Sequence, residues 1–87
     1  MDYQAIVHSI IDSLVDHPES IMIRELPSEE DSKDVTILIC AEKDDTARLI
    51  GRRGTVANAI REVMSIAGKS EGKRIHLKFE SFENEED

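Results

Sequence analysis

The sequence predicts a small α+β domain with the element order α-β-β-α-α-β, in which one mixed three-stranded sheet carries three helices on a single face. Three observations lead to this prediction. The chain has 87 residues, which suits one domain with one small core. Helical and alternating apolar patterns follow one another without an internal repeat or a linker. Two helical segments separate the last two strands, a connection long enough to make those strands parallel with a right-handed crossover.

The chain opens with a helical pattern and a short strand. Tyr3 to Val15 has an apolar stripe along one helical face, and Pro18 prevents the helix from continuing. Ile21 to Leu26 is a strand candidate that ends at Pro27, and the polar segment Ser28 to Lys33 is a predicted loop. The residues of the predicted stripe are Tyr3, Ile6, Val7, Ile10, Ile11 and Leu14.

Two longer strands complete the predicted sheet. Val35 to Ala41 and Arg74 to Glu80 both alternate apolar side chains with a period of two, which is typical of a strand with one buried face. Leu38 and Cys40 add apolar side chains to the opposite face, so we expect that face to be partly covered. The core-facing residues are then Val35, Ile37, Ile39, Ile75, Leu77 and Phe79, with Arg74, His76 and Lys78 facing away.

Between these strands, two helical patterns flank a glycine-bracketed pair of arginines. Asp44 to Ile50 and Thr55 to Ala67 have helical spacing, and Gly51 to Gly54 forms the turn between them. Asp44 or Asp45 is expected to cap the shorter helix, Thr55 the longer one, and Gly68 suits the residue after the last helical turn.

The turn has the composition of an anion site. Gly51 and Gly54 permit positive φ angles and the close approach of another backbone. The first amides of the following helix lie at the positive end of its dipole, and Arg52 and Arg53 add two permanent charges. A phosphodiester backbone is the natural occupant. An ordinary helix–turn–helix connection with solvated arginines is the alternative.

The segment Leu49-Ile50-Gly51-Arg52-Arg53-Gly54, followed by Val56 and Ile60, resembles the signature of the KH domain. The predicted order of elements is similar to the type II KH fold over nearly the whole chain, residues 1–80, and its size and order resemble small bacterial single-KH proteins of the KhpA type. This resemblance implies that the Gly-x-x-Gly loop clamps the backbone of a short single strand of RNA or DNA. It also implies self-pairing, a larger KH-containing partner protein, and a role as an RNA chaperone or post-transcriptional adaptor.

The resemblance further implies a base-binding groove beside the loop. Apolar residues of the flanking helices, with Ile37 or Ile39 from the core strand, would form its floor, although core packing is the alternative for each of them. Arg48 and Arg61 extend the basic rim or are simply solvated. The predicted RNA-binding residues are therefore Ala47, Arg48, Ile50, Gly51, Arg52, Arg53, Gly54, Val56, Ile60 and Arg61.

Charge is distributed unevenly along the chain. The net charge is −8, yet residues 43–78 hold nine Lys and Arg against four acids, a local balance of +5. A local patch can bind phosphate on an acidic protein because salt screens charges beyond about 8–10 Å. The variable loop of type II KH domains falls at Ser28 to Lys33, where Glu29, Glu30 and Asp31 are expected to repel RNA and lower its affinity.

Composition excludes several other functions. Aromatic residues make up 3% of the chain, too few for a binding surface built on base stacking. The single cysteine, Cys40, fits a reducing compartment, and a cytoplasmic location is expected. His8, His17 and His76 lack the spacing of metal ligands, and the chain shows no arrangement typical of an enzyme or of a cofactor site.

Two functional hypotheses remain. The first is a module that binds single-stranded RNA. The alternative is a protein-interaction module on a KH scaffold, in which the acidic surface and the apolar residues Leu38 and Cys40 serve a dimer partner and RNA binding is weak or lost. The acidic segment 81–87 is predicted to be a disordered tail.

Overall fold

The computed structural model describes residues 1–82. Its elements follow the predicted order α-β-β-α-α-β, with short 3₁₀ turns at Asp12–Leu14, Pro18–Ser20 and Arg52–Gly54. The helices and strands are α1 (Tyr3–Ile11), β1 (Met22–Glu25), β2 (Asp34–Ala41), α2 (Lys43–Ile50), α3 (Thr55–Lys69) and β3 (Arg74–Ser81).

The three strands form one mixed sheet in the order β1-β2-β3. β1 is antiparallel to β2, and β3 is parallel to β2, as the two-helix connection predicts. The register places Ile37 beside Leu77 and Ile39 beside Phe79, so the alternating apolar positions of the two long strands share one face. The opposite face pairs Asp34 with Arg74.

All three helices pack on the apolar face of the sheet, which confirms the predicted architecture. The core is one cluster of buried apolar side chains drawn from the sheet and from every helix. Its members are Tyr3, Val7, Ile11, Val35, Ile37, Ile39, Ala41, Leu49, Ile60, Met64 and Leu77.

The first helix is shorter than the sequence pattern predicts. α1 ends at Ile11, and the next three residues form a 3₁₀ turn instead of a further α-helical turn. The tighter winding of that turn moves Leu14 off the predicted stripe. Leu14 is consequently 43% exposed instead of buried.

The predicted helix caps are wrong. α2 begins after Glu42, whose side chain makes no capping hydrogen bond, and Asp45 is buried inside the first turn of the helix. Thr55 is the first residue of α3 and does not cap it, because the left-handed Gly54 occupies the cap position.

Gly68 lies within α3 instead of following its last turn. A Cβ atom at Gly68 would come within 2.7 Å of both the Lys73 carbonyl oxygen and Ile75 Cγ1. Glycine is therefore required there for the close packing of α3 on the start of β3, and the left-handed glycine after the helix is Gly72.

The strand β3 continues one residue beyond the predicted end of the domain, to Ser81. The Phe82 amide then donates to the Ala41 carbonyl, 3.0 Å away, so the first two residues of the predicted tail join the sheet edge. The rest of the predicted disordered tail lies outside the described residues. Within residues 1–82, no helix has the length and apolar character needed to cross a membrane.

Candidate nucleic-acid interface

The Gly51–Gly54 loop is a tight turn that joins α2 to α3. Gly51 ends α2 with φ 77° and ψ 174°, and its amide donates to the Ala47 carbonyl at 2.9 Å. The Gly54 amide then donates back to the Gly51 carbonyl at 3.1 Å. These two backbone hydrogen bonds close the turn.

The two glycines serve different purposes. A Cβ on Gly51 would lie 2.5 Å from Val56 Cγ2 and 2.8 Å from the Val56 amide nitrogen, so this glycine lets α2 and α3 approach closely. A Cβ on Gly54 would have a single neighbour, Asn58 Nδ2 at 3.9 Å. The space beside Gly54 is open, and another backbone can approach there.

Both arginines of the loop project into solvent. Arg52 and Arg53 are exposed, and neither side chain has a hydrogen-bond or ion-pair partner within residues 1–82. Arg53 is the one non-glycine residue of the described chain with a positive φ, at 57°. Residues held in such conformations cluster at binding sites, where the surrounding structure over-determines them.

The apolar residues predicted to line the groove divide into two groups. Ile50 is 37% exposed, and Ala47 is exposed on the same helix, one turn earlier. Val56 is half-buried against the loop. Ile60 is 3% exposed and belongs to the core cluster, as do Ile37 and Ile39. The accessible apolar surface beside the loop therefore comes from Ala47, Ile50 and Val56.

Arg48 and Arg61, the predicted basic rim, both contact other residues of the chain. Arg48 donates from Nη1 to Asp45 at 2.8 Å, and its Nη2 lies 3.1 Å from Asp16 Oδ2. The Arg61 guanidinium lies over the Phe79 ring, 5.4 Å from its centroid. Of the four arginines of the loop and its rim, Arg48 is the one whose charge is paired with carboxylates within residues 1–82.

Asp45 is a buried carboxylate whose position the sequence analysis missed. It is 1% exposed and accepts hydrogen bonds from the backbone amides of Asp16 at 3.0 Å and His17 at 2.9 Å. These two amides and the Arg48 guanidinium hold the pKa of Asp45 below its usual range, against the opposing effect of burial. The sequence signal for the burial of Asp45 is its spacing. Asp45 lies four residues before the buried Leu49, so both residues lie on the same face of the helix.

The acidic Ser28–Lys33 segment lies far from the Arg52–Arg53 pair. The segment lies just before the start of β2. The loop follows α2, and α2 is attached at the other end of β2, where the Thr46 hydroxyl donates to the Ala41 carbonyl at 3.2 Å. Gly68, near the end of α3, packs on Ile75 at the start of β3, so the beginning of α3 also lies toward the far end. An eight-residue strand spans about 25 Å, which exceeds the screening length. These acids would therefore repel an anion at the loop less than the sequence suggests.

Two surface clefts differ in charge. One, of about 470 Å³, has nearly balanced acidic and basic groups; it is lined by Asp16, His17, Glu42, Lys43, Asp44, Arg48 and Phe82. The other, of about 580 Å³, is lined mainly by the Ser28–Lys33 segment, and its acidic side chains do not suit phosphate. Residues 1–82 contain no group of three or more His, Cys, Asp or Glu side chains arranged to hold a metal ion.

Comparison with known proteins agrees with this fold. The family model described as KhpA/KhpB, KH domain, matches residues 4–79. The chain belongs to this family. Family membership places it among non-enzymatic proteins with a KH domain.

Curated relatives named RNA-binding protein KhpA include proteins from three bacteria. The protein of Oceanobacillus iheyensis is 44% identical over 75 residues, which cover 85% of this chain and 95% of the relative. That of Listeria monocytogenes is 36% identical over 74 residues, covering 85% and 93%. That of Bacillus subtilis is 37% identical over 78 residues, covering 90% and 89%. No solved structure matches the chain.

Proposed function

We propose that this KH domain, of the type II arrangement, binds single-stranded RNA through its Gly51-Arg52-Arg53-Gly54 loop and works in the cytoplasm as an RNA chaperone or post-transcriptional adaptor. The observation that carries the proposal is the pair of exposed arginines, without a side-chain partner among residues 1–82, in a closed glycine turn at the start of α3. The name of the relatives, RNA-binding protein KhpA, supports the same conclusion.

The loop suits a sugar-phosphate backbone for three physical reasons. The Thr55 amide donates to the Arg52 carbonyl, but the next amides at the start of α3 have no partner inside the helix, and the helix dipole favours an anion there. Arg52 and Arg53 supply charge for phosphate oxygens. The open side of Gly54 lets the strand approach the protein backbone.

Single strands are favoured over duplexes because the apolar surface beside the loop needs an unstacked base. Ala47, Ile50 and Val56 offer a small apolar area that a splayed base covers and a paired base does not reach. Backbone contacts position the strand and carry no base information, so sequence preference arises from this apolar surface.

We expect RNA affinity to depend moderately on salt. If about two to four phosphates are neutralised, log Kd plotted against log salt concentration changes with a slope of magnitude roughly 1.4 to 2.8, at about 0.7 per phosphate. Fluorescence anisotropy with a random-sequence 12-nucleotide RNA, at several KCl concentrations, measures the slope. A duplex of the same length is the control. Equal binding to both, or no binding at low salt, would contradict the proposal.

The alternative function is protein interaction. The exposed apolar surface that would serve it lies on α3, not on the sheet face of Leu38 and Cys40 that the sequence suggested. Cys40 is 7% exposed and Leu38 is half-buried, so that sheet face offers little free apolar area. α3 instead exposes Val63 by 47% and Ile66 by 71%, with Ala59 on the same stripe. A second copy could pair α3 with α3 through this stripe in a two-fold dimer.

We expect Ile66→Asp to shift the protein toward the monomer if this pairing occurs, because it places a charge in the apolar contact. Light scattering at micromolar concentration measures the mass of the original protein and of the variant. Ser65→Asp, the same charge at the neighbouring exposed position, is the control. A larger KH-containing partner that uses the same stripe would compete with the dimer. If the original protein is strictly monomeric and no partner protein is recovered with it in a pull-down, the protein-interaction function is excluded.

A further inference from the structure

The short helix α2 leads directly into the Gly51–Gly54 loop, so the position of α2 determines where the loop lies. The helix has eight residues, and no side-chain cap stabilises its start. Its C-terminal residue, Ile50, leads directly into Gly51, whose close contact with Val56 leaves no slack between α2 and α3. Any shift of α2 therefore displaces the loop.

Three buried side chains hold α2 to the rest of the domain. Leu49 is 0% exposed and packs in the core. The Thr46 hydroxyl bonds the Ala41 and Glu80 carbonyls at 3.2 and 3.4 Å, which ties the helix to the ends of two strands. Asp45 accepts from the backbone amides of Asp16 and His17 and ties the helix to the connection between α1 and β1.

Arg48 completes this third attachment from the outside. Its guanidinium bridges two carboxylates, with Nη1 on Asp45 and Nη2 on Asp16. The carboxylate of Asp45 thus has three donors, two of them fixed backbone amides, and a buried carboxylate needs such partners to be tolerated.

We propose that Asp45 is a positioning residue for RNA binding, and that Arg48 acts with it as a brace between the connection at Asp16–His17 and α2, not as a phosphate contact. The inference rests on the proposed function, because the effect on RNA requires that the loop bind RNA. Charge alone predicts that removing the acid at position 45 strengthens RNA binding. The positioning role predicts the opposite, that RNA binding becomes weaker.

Asp45→Asn tests this inference with Asp44→Asn as its matched control. Both changes remove one negative charge from the first turn of α2, but Asp44 is exposed and makes no hydrogen bond from its side chain within residues 1–82. With the random 12-nucleotide RNA, we expect Asp45→Asn to weaken binding roughly five-fold or more, because a site held loosely loses its geometry. Asp44→Asn should bind as the original protein does, or slightly more tightly. Equal affinity for Asp45→Asn and Asp44→Asn would overturn the inference.

Amide NMR of the free protein provides a readout that does not depend on RNA. Asp45→Asn should shift the amide resonances of Gly51, Arg52, Arg53 and Gly54, and Asp44→Asn should leave them in place. Unmoved loop amides in a folded Asp45→Asn protein would overturn the positioning role. If the original protein failed to bind RNA, the proposed function would fall, while this measurement would still decide whether Asp45 places the loop.

Arg48→Gln separates a brace from a phosphate contact and covers the case in which Asp45→Asn does not fold. Arg48 is 45% exposed at its side chain, so the domain tolerates the change. If Arg48 is a brace, Arg48→Gln lowers the RNA affinity and leaves the salt slope unchanged. If Arg48 contacts a phosphate, the substitution reduces the magnitude of the slope by about 0.7. Arg52→Gln supplies the comparison, since it should lower the slope by about that amount. A reduced slope for Arg48→Gln, or an unchanged affinity, would overturn the inference.

Discussion

Replacing Arg52 and Arg53 together with aspartate is expected to abolish measurable binding of single-stranded RNA while the domain stays folded. The change removes the two exposed cations of the loop and places two anions where phosphate oxygens would lie. Each lost contact weakens binding, and the like charges then repel the strand at close range. The affinity of the random 12-nucleotide RNA, measured by anisotropy, should fall below detection.

The fold should survive because neither side chain supports it. Both residues are exposed, and exposed charge changes usually alter the free energy of unfolding by no more than about 0.5 kcal/mol. Arg53 has φ 57° and ψ 28°, the left-handed conformation that aspartate adopts more readily than most residues. Circular dichroism and urea unfolding check that the variant remains native.

A control is required because the double change alters the net charge by four units. Changing Lys69 and Lys73 together to aspartate produces the same alteration at exposed positions at and beyond the end of α3. General electrostatic repulsion should weaken RNA binding modestly in this control. If the folded Arg52–Arg53 variant binds RNA as well as the control does, the loop is not the phosphate site, and the interaction function takes precedence.

The sheet and its buried face could be predicted from the sequence because strand periodicity is a local property. Val35, Ile37 and Ile39 recur at every second position, and the register with Ile75, Leu77 and Phe79 follows from burying both sets on one face. The helix caps could not be predicted in this way. Whether Asp45 caps a helix or is buried depends on the amides of Asp16 and His17, which are distant in sequence.

In the candidate site, too, features set by neighbouring residues could be predicted and features set by distant residues could not. The Gly-x-x-Gly segment is visible in the sequence because its signal consists of neighbouring residues. The partners of the flanking arginines are not visible there, since Arg48 bonds Asp16 and Arg61 lies over Phe79 only after the chain has folded. Charge counted along the chain likewise misleads, because Arg74 belongs to the nine basic residues of 43–78 yet pairs with Asp34 on the opposite face of the sheet.

Gly51→Ala is expected to destabilise the domain strongly, by about 2 to 6 kcal/mol in the free energy of unfolding. Gly51 has φ 77° and ψ 174°, a region of backbone conformation that is nearly restricted to glycine and costs other residues roughly 1 to 3 kcal/mol. The added methyl group would also overlap the Val56 side chain at 2.5 Å and the Val56 amide nitrogen at 2.8 Å. Relieving that overlap requires α2 and α3 to separate, at a further cost of about 1 to 3 kcal/mol.

Gly54→Ala is the matched control, because it adds the same methyl group at the other glycine of the turn. Gly54 has the same φ of 77° with ψ 15°, a left-handed conformation that costs alanine about 1 kcal/mol, and no atom lies closer than 3.9 Å to the new carbon. Urea unfolding of the two variants should therefore separate them by at least about 1 kcal/mol, since the smallest Gly51 cost exceeds the Gly54 cost by that much. The folded Gly54→Ala protein should nevertheless lose RNA affinity, because its methyl group occupies the open space beside the loop. Equal stabilities would show that α2 and α3 are not packed tightly at Gly51, and undiminished RNA binding by Gly54→Ala would show that the strand does not approach the loop from that side.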